Sequence, residues 1–188
     1  MSQAFIALGS NLANPIEQVQ KAFVALGNIP NTTVLKKSSL YQTAPIDCPA
    51  DSLQPVPDFI NAVAEIETGL APHALLEAIL AIETKAGRER PYQNAPRVLD
   101  CDLLLYENVE LNTDTLILPH PRMHTRGFVL LPLCEIAPDI AIPNHGKVSS
   151  LHRALLLGIF GDLQSLHRVL QTHARGSQNR FQKPLCRW

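Results

Sequence analysis

The sequence lacks paired cysteines, a basic excess and the usual nucleotide-binding loops. Its four cysteines, Cys48, Cys101, Cys134 and Cys186, contain no C-x-x-C pair, which argues against a zinc or redox motif and is typical of intracellular thiols. The formal net charge is −1, whereas proteins that bind nucleic acids or membrane surfaces usually carry a clear basic excess. We therefore expect neither kind of partner.

Long hydrophobic segments are also missing. No apolar run approaches the roughly 20 residues that a membrane-spanning helix needs, and the N-terminal segment MSQAFIALGSNL has no charged signal-peptide region. We therefore expect a cytoplasmic protein. The chain has 188 residues, of which 46% are hydrophobic, and this is enough material for a single core.

Short apolar patterns divide the first part of the chain into strands and helices. Residues 3–8 form a strand that ends in the turn signal Gly9-Ser10-Asn11. A helix begins at Pro15, with Asn14 as its cap, and stops at Gly27. A second strand covers 32–41, and a third covers 59–67 with period-two alternation. The proline-rich segment between them is predicted to be a loop.

The same patterns continue to residue 106. Pro72 opens a second helix, which ends before Gly87, and residues 98–106 form a fourth strand. The order β-α-β-β-α-β predicts an α+β fold of the ferredoxin-like kind, with a mainly antiparallel sheet and helices on one face. We expect an extra helical C-terminal segment, with a helix over 123–137 around Pro132 and another over 151–174.

The C-terminal part differs in charge from the rest. Residues 151–188 contain six Lys or Arg residues and one acidic residue, whereas residues 1–150 contain ten basic and sixteen acidic residues. From Gly176 onward the sequence has no useful period. We interpret residues 146–188 as a basic extension that is partly helical and mobile at its end.

Asp100 and Asp102 are the strongest chemical signal. On a strand both carboxylates project from one face, about 7 Å apart, while Leu99, Cys101, Leu103 and Leu105 face the other way. Two close carboxylates repel each other and lose hydration, and a divalent cation removes both costs. Magnesium suits such a pair because it binds one or two carboxylates together with substrate phosphates. A bare D-x-D pattern is weak, however, and is more often a solvated strand face.

Basic residues around the pair strengthen the metal interpretation. Arg88, Arg90 and Arg97 precede the aspartates, and His120 and Arg126 follow them. Guanidinium groups match phosphate oxygens with paired hydrogen bonds. Neither a G-x-x-x-x-G-K-[ST] loop nor a G-x-G-x-x-G turn occurs in the sequence. The arrangement therefore predicts a metal-nucleotide site built on the two aspartates.

Seven ordered motifs resemble one family. They are IALGSNL, YQTAPI, DFINAV, IETKAGRER, NAPRVLDCDLLLY, PHPRMHTRGF and PLCEIAPD, between about residues 3 and 143. In this order and spacing they resemble the 6-hydroxymethyl-7,8-dihydropterin pyrophosphokinases of folate synthesis. The resemblance implies that residues 1–145 form a pyrophosphokinase domain, which acts as a monomer on two small molecules, ATP and the pterin.

The resemblance also implies a role for individual residues. Asp100 and Asp102 would bind two magnesium ions, and Arg88, Arg97 and Asp102 would take part in catalysis. ATP would contact a set of charged or polar side chains: Glu83, Arg88, Arg90, Arg97, His120 and Arg126. The pterin would lie between Phe59 and Phe128, with Asn61 at its edge and Thr43, Ala44 and Ile46 completing the pocket. Flat aromatic faces and an amide suit a flat heterocycle.

Three functions remain open at this point. The pyrophosphoryl group of ATP would move as one unit to the pterin hydroxyl, and AMP would leave. A magnesium-dependent phosphotransferase or nucleotidyltransferase could use the same pair on another substrate. A non-catalytic pterin-binding relative is the third, although such a protein would not need both aspartates together with Arg88 and Arg97.

Overall fold

The computed structural model describes residues 1–45, 57–87 and 97–158 and the backbone of residues 166–169. The elements in these ranges are β1 (Ser2–Ser10), α1 (Pro15–Gly27), β2 (Thr32–Lys37), β3 (Leu40–Thr43), β4 (Phe59–Thr68), α2 (Pro72–Lys85), β5 (Asp100–Tyr106), β6 (Leu111–Asn112), β7 (Ile117–Leu118), α3 (Gly127–Ile136), β8 (Ala141–Ile142), β9 (Gly146–Lys147), α4 (Val148–Leu156) and β10 (Leu166–Val169). A single 3₁₀ turn, Met123–Thr125, precedes α3. None of the helices in the described ranges is long and apolar enough to cross a membrane.

The main sheet is antiparallel throughout its described pairings. Its strands lie in the order β10-β3-β4-β1-β5. Strand β2 pairs with the second half of β4, and β3 pairs with the beginning of β4. Helix α1 follows β1 and helix α2 follows β4, so each connects two strands that are separated by a third. This is the split β-α-β order, and the predicted α+β, ferredoxin-like fold is confirmed.

The predicted second strand proves to be two. The chain leaves the ladder at Ser38 and Ser39, between β2 and β3, and both strands pair with β4. Ser38 replaces the missing ladder bonds, because its N–H donates to the Val63 carbonyl at 2.9 Å and its hydroxyl accepts from the Val63 N–H at 2.9 Å. A register shift between Val34 and Lys36 also bends β2 away from a continuous strand.

One face of the sheet is covered by α1 and α2. Alternate residues of the two central strands supply the apolar layer, and α1 and α2 add Val19, Phe23, Leu26, Leu75 and Ile79. The strand residues in this first core include Ala4, Ile6, Leu8, Ile60, Ala62, Ala64 and Ile66. Each fully buried Leu or Ile side chain stabilises the fold by about 1.5–3 kcal/mol. The predicted alternation in β4 is confirmed.

The opposite face is covered by α3 and α4, which corrects the expectation that helices lie on one face only. Phe5 and Val63 point to this side and pack with Leu130 and Leu133 of α3. The second core extends to Val148 at the start of α4. Successive strand residues point to opposite faces, and near the strand centres nearly all of them are apolar. Both faces of the sheet are therefore apolar there, and each is covered by helices.

Predicted helix limits agree with the structure in the first part of the chain only. Helices α1 and α2 begin at Pro15 and Pro72 as predicted, and α3 is helical through Pro132. Asn14 has a left-handed backbone and no capping hydrogen bond, since its amide donates to Glu17 instead. The helix predicted over 151–174 ends at Leu156, because Gly158, at φ +67°, follows α4 in a left-handed conformation. The prediction is also wrong at residues 166–169, which pair with β3 as a strand, and the rest of 159–174 lies outside the described residues.

Candidate active site

Asp100 and Asp102 lie at the start of β5 and face the α3 side of the sheet. Cys101 and Leu103 alternate with them and belong to the first core. Both carboxylates are partly exposed, with side-chain exposures of 20% for Asp100 and 39% for Asp102. The predicted common face of the two aspartates is therefore confirmed.

The prediction for Leu105 is wrong. Phe5 pairs with Leu105 and Ile6 pairs with Leu103, so Leu104 is an extra residue in β5. This β-bulge puts Leu104 and Leu105 together in the second core, on the same side as the aspartates. A period of two cannot reveal a bulge, because the run Leu103–Leu105 is apolar at every position.

The environment of Asp102 disfavours its ionised form. Burial, followed by the negative charge of Asp100, raises the pKa of the Asp102 carboxyl above its usual value. The positive fields of His120, Arg126 and Arg97 oppose this rise. The carboxylate pair therefore lies in a ring of basic groups, as the sequence predicted.

Arg97 is held directly on Asp100. Its guanidinium donates a hydrogen bond from Nη1 to Asp100 Oδ2 at 2.7 Å. Its Nε is buried and has no hydrogen-bond partner among the described residues. A buried guanidinium N–H without an acceptor is costly, and the oxygen of a phosphate is the acceptor that this group prefers. The Nη1 end of the Arg97 guanidinium is thus fixed by Asp100, and its Nε–H is suited to bind an anion.

His120 and Arg126 lie on the other side of the pair. His120 Nε2 is 3.9 Å from Asp102 Oδ2, and the His120 backbone N–H donates to the Leu104 carbonyl at 2.9 Å. Burial lowers the pKa of His120, although Asp102 opposes that shift. Arg126 precedes α3 and lies 5.4 Å from the centroid of the Phe128 ring. This contact fixes a guanidinium and an aromatic ring together at the edge of the site.

A second set of predicted residues surrounds Asn61 on the same face of the sheet. The Asn61 side chain is buried and donates from Nδ2 to Thr43 Oγ1 at 2.8 Å, which leaves its carbonyl oxygen Oδ1 on the β1 side. Phe59 shares this face of β4 and is half-buried. Ala44, half-buried, follows Thr43 directly. These positions form one cluster at the ends of β3 and β4.

Gly9 connects the two clusters. In the antiparallel register it pairs with Asp100 on one side and with Asn61 on the other. Because neighbouring strands are about 4.8 Å apart, Asn61 and Asp100 are separated by about 10 Å across Gly9. A Cβ atom at Gly9 would lie 3.2 Å from Asn61 Oδ1. Because Gly9 has no side chain, only its backbone lies between the Asp100 carboxylate and the Asn61 amide on this face.

Glu83 has a different environment from the other residues in the predicted ATP set. It is 1% exposed, near the end of α2, and its Oε1 accepts the Cys101 backbone N–H at 2.7 Å. Cys101 lies between the two aspartates, so this bond fixes the outer edge of β5 at the carboxylate pair. The predicted contact of Glu83 with ATP stays a prediction. Ile46, Arg88 and Arg90, which the sequence also placed in the site, lie outside the described residues.

The end of β1 lies further along the chain than the sequence predicted. Gly9 and Ser10 were interpreted as part of a turn, but both belong to β1, which reaches Ser10. Ser10 Oγ donates to the Val98 carbonyl at 2.6 Å, and Asn11 is 2% exposed. The available signal was a run of short polar residues directly after an apolar strand, whose side chains can bond neighbouring backbone groups.

The carboxylate pair fits magnesium. The two aspartates offer oxygen donors on one face of a strand and remain accessible. Among the described residues, no group of three or more His, Cys, Asp and Glu side chains could hold a metal. The remaining ligands would therefore have to come from phosphate oxygens and water, which is the mixed coordination that magnesium favours.

Comparisons with known proteins agree on one family. The model of 7,8-dihydro-6-hydroxymethylpterin-pyrophosphokinase (HPPK) matches residues 5–138. A 2-amino-4-hydroxy-6-hydroxymethyldihydropteridine pyrophosphokinase of Haemophilus influenzae is 43% identical over 151 residues, which cover 80% of this chain and 91% of that protein. The enzyme of the same name from Pseudomonas aeruginosa is 43% identical over 144 residues, covering 77% of this chain and 86% of the relative.

A solved structure shows the same fold at low sequence identity. The wild-type HPPK-DHPS of Plasmodium falciparum, crystallised with SDX-DHP, matches with a TM-score of 0.62 and 14% identity. The match covers 85% of this chain and 44% of that one. This chain thus spans less than half of the larger protein, and the likeness concerns the fold.

Proposed function

Because this chain belongs to the 7,8-dihydro-6-hydroxymethylpterin-pyrophosphokinase family, we propose that it transfers pyrophosphate from ATP to 6-hydroxymethyl-7,8-dihydropterin and releases AMP, a step of folate synthesis. One observation carries the proposal from the structural side. Asp100 and Asn61 face the same side of one sheet, with the side-chain-free Gly9 between them. A polyphosphate and a flat heterocycle thereby have adjacent places on one surface.

The phosphate half of the proposed site rests on charge. Arg97 offers a buried Nε donor without a partner in the described part of the chain, and Asp100 orients its guanidinium. Arg126 and His120 add positive charge or hydrogen-bond donors on the opposite side of the carboxylates. Magnesium, when bound by Asp100 and Asp102, would supply charge neutralisation and orientation of the phosphate oxygens. We assign two ions to this pair.

The pterin half rests on shape and hydrogen bonding. Thr43 fixes the Asn61 amide, so that its orientation is set before a ligand binds. A preset amide offers an acceptor and a donor in fixed positions to the edge of a heterocycle. We propose that Phe59 and Phe128 stack on the two faces of the ring, and that Thr43, Ala44 and Ile46 close the pocket. The Arg126 contact supports a fixed place for the Phe128 ring.

The proposed step is a displacement at the β-phosphorus of ATP. The hydroxymethyl oxygen forms a bond to that phosphorus while the bond to the oxygen shared with the α-phosphorus breaks, and AMP leaves with that oxygen. The hydroxyl proton is lost to an acceptor in the site. Catalysis then consists of alignment and of stabilising the charge on the phosphoryl oxygens. We assign the catalytic contacts to Arg88, Arg97 and Asp102, and further ATP contacts to Glu83 and Arg90.

The proposal extends to the domain limits, the oligomeric state and the cellular location of the protein. We propose that residues 1–145 carry the chemistry and that residues 146–188 are an extension, although its helix α4 packs on α3. We further propose that the protein acts as a monomer and that it works in the cytoplasm. Sedimentation at assay concentration tests the monomer.

A product assay tests the proposed function. The protein is incubated with magnesium, ATP and the hydroxymethyldihydropterin, and the nucleotide product is separated. We expect AMP that forms only when the pterin is present. ADP would instead identify a phosphotransferase, pyrophosphate a nucleotidyltransferase, and pterin binding without turnover a non-catalytic relative. Arg97→Ala should lose most of the activity, whereas Arg153→Ala, on the exposed side of α4, serves as a matched control and should keep it.

A further inference from the structure

Asn11 connects the two halves of the site through its side chain. It directly follows β1 and is 2% exposed. Its Oδ1 accepts the Arg97 backbone N–H at 2.8 Å, and its Nδ2 donates to the Pro57 carbonyl at 3.3 Å. Its own backbone N–H donates to the Arg97 carbonyl at 3.2 Å. One buried amide thus binds two segments that are far apart in sequence.

Each of these segments leads directly into functional residues. Pro57 lies two residues before Phe59, the first residue of β4, and Asn61 is the third residue of that strand. Arg97 lies three residues before Asp100, the first residue of β5, and its guanidinium is bonded to that carboxylate. The Asn11 side chain therefore fixes the entry to the pterin strand relative to the entry to the carboxylate strand.

The bonds differ from those of an ordinary turn. Asn11 and Arg97 exchange bonds in both directions, in the manner of a pair of strand residues, but one of the acceptors is a side-chain oxygen. Neighbouring Ser10 adds a third link, from its hydroxyl to the Val98 carbonyl at 2.6 Å. A buried amide with both ends bonded to backbone groups restrains the distance between those groups.

We propose that Asn11 is a positioning residue that sets the distance and angle between the pterin pocket and the phosphate pocket. It acts through the backbones of Arg97 and Pro57 and does not itself contact a substrate. This inference rests on the proposed function, because it concerns the alignment of the two substrates of that reaction. A displacement of about 1 Å between reacting groups can lower a rate ~100-fold.

Two variants separate its two bonds. Asn11→Leu keeps the approximate shape and removes both side-chain bonds, so kcat/KM should fall by ~10–100-fold. Asn11→Asp keeps the acceptor for the Arg97 N–H but loses the donor for the Pro57 carbonyl. It should recover most of the ATP KM relative to Asn11→Leu while the pterin KM stays raised. Binding of each ligand alone, measured by calorimetry, should show the same division.

A control variant separates positioning from stability. Thr68 is 0% exposed at the far end of β4, where its Oγ1 is 2.7 Å from Thr32 Oγ1. Thr68→Val also removes side-chain hydrogen bonds on the same strand, including the one that Thr68 Oγ1 accepts from the Leu70 N–H at 3.2 Å. It should lower the melting temperature without changing KM or kcat per folded molecule. Asn11→Leu should change both KM values at temperatures where it is fully folded.

A double-mutant cycle completes the test. In an Arg97→Ala background, Asn11→Leu should change the ATP KM less than it does in the wild type, because both residues act on one guanidinium. Two results would overturn the inference: kinetics of Asn11→Leu equal to those of Thr68→Val per folded molecule, or full additivity with Arg97→Ala. If the wild type itself forms no pterin-dependent AMP, the proposed function fails, and the fault then lies there and not with Asn11.

Discussion

The two faces of the central sheet use the same strands for opposite purposes. On the α1 and α2 side, β1, β4 and β5 present an unbroken layer of apolar side chains that is closed by the helices. On the other side, α3 and α4 close the layer near Phe5 and Val63. Beyond it, the strand ends present Gly9, Asn61, Asp100 and Asp102 in adjacent rows.

The difference shows how one alternating pattern yields both a core and a site. A strand residue and its successor face opposite sides, so Ile60 packs in the first core while Asn61 lies on the face of the two aspartates. Substitutions on the first face should therefore change stability and leave the kinetic constants alone. Substitutions of the polar residues at the strand ends of the second face should do the reverse, because carboxylates and amides at functional sites are not placed for stability.

The largest expected effect concerns Asp102. Asp102→Asn would remove a proposed metal ligand, and kcat should fall by ~10³-fold, or about 4 kcal/mol of transition-state stabilisation. Stability should stay equal or rise, because the like-charge repulsion with Asp100 disappears. Asp139→Asn is the matched control, since Asp139 is exposed and pairs only with Lys147 at 3.2 Å among the described contacts. Near-normal turnover of Asp102→Asn would contradict the metal assignment.

The second prediction concerns the stability of the face that α1 and α2 cover. Ile79 of α2 is 0% exposed in the first core, so Ile79→Ala should lower the free energy of unfolding by about 2–5 kcal/mol. Urea denaturation measures this loss. At temperatures where the variant is folded, both KM values should equal those of the wild type; a changed pterin KM would break the division between the two faces.

A third effect concerns the attachment of α3 to the sheet. The Glu135 carboxylate accepts hydrogen bonds from the backbone N–H and hydroxyl of Ser39, at 2.8 and 2.7 Å, and from the Tyr41 hydroxyl at 2.8 Å. Glu135→Ala should lower stability by about 1–2 kcal/mol. Because α3 also carries Phe128, the pterin KM should rise modestly. Thermal unfolding with parallel kinetics measures both, and an unchanged melting temperature would contradict this role of Glu135.

The smallest effect is the most specific. In Gly9→Ala, the new Cβ would lie 3.2 Å from Asn61 Oδ1, so the amide must move and its bond to Thr43 must weaken. The pterin KM should rise about fivefold, or about 1 kcal/mol, while the ATP KM stays constant. Gly27→Ala is the matched control, since its Cβ would meet Val34 at an ordinary 3.7 Å. If Gly9→Ala has the pterin KM of the wild type, the site tolerates a side chain at position 9 and this prediction is wrong.

Most of the fold followed from local patterns. The starts of α1 and α2 at Pro15 and Pro72 and the alternation in β4 were predicted because caps, breakers and periods are properties of neighbouring residues. The break at Ser38, the bulge at Leu104 and the strand at residues 166–169 were not. Each depends on pairing with a distant strand, and no window along the chain contains both partners.

The site was predictable in its chemistry but not in its scaffold. The common face of Asp100 and Asp102 agrees with what the motif suggested. The bond from Arg97 to Asp100 was not predicted, because the sequence assigned Arg97 to the phosphates of ATP. The bonds of Asn11 could not be predicted, because they reach across 86 and 46 residues to backbone groups whose positions only the fold defines. The roles given to Arg88 and Arg90 stay predictions.

The fate of the β-phosphorus tests the central claim most directly. ATP labelled at this phosphorus is incubated with the protein, magnesium and the pterin for a single turnover, and the products are separated. The account predicts the whole label in the pterin product and unlabelled AMP. Label in ADP or in free pyrophosphate, with no labelled pterin, would contradict it.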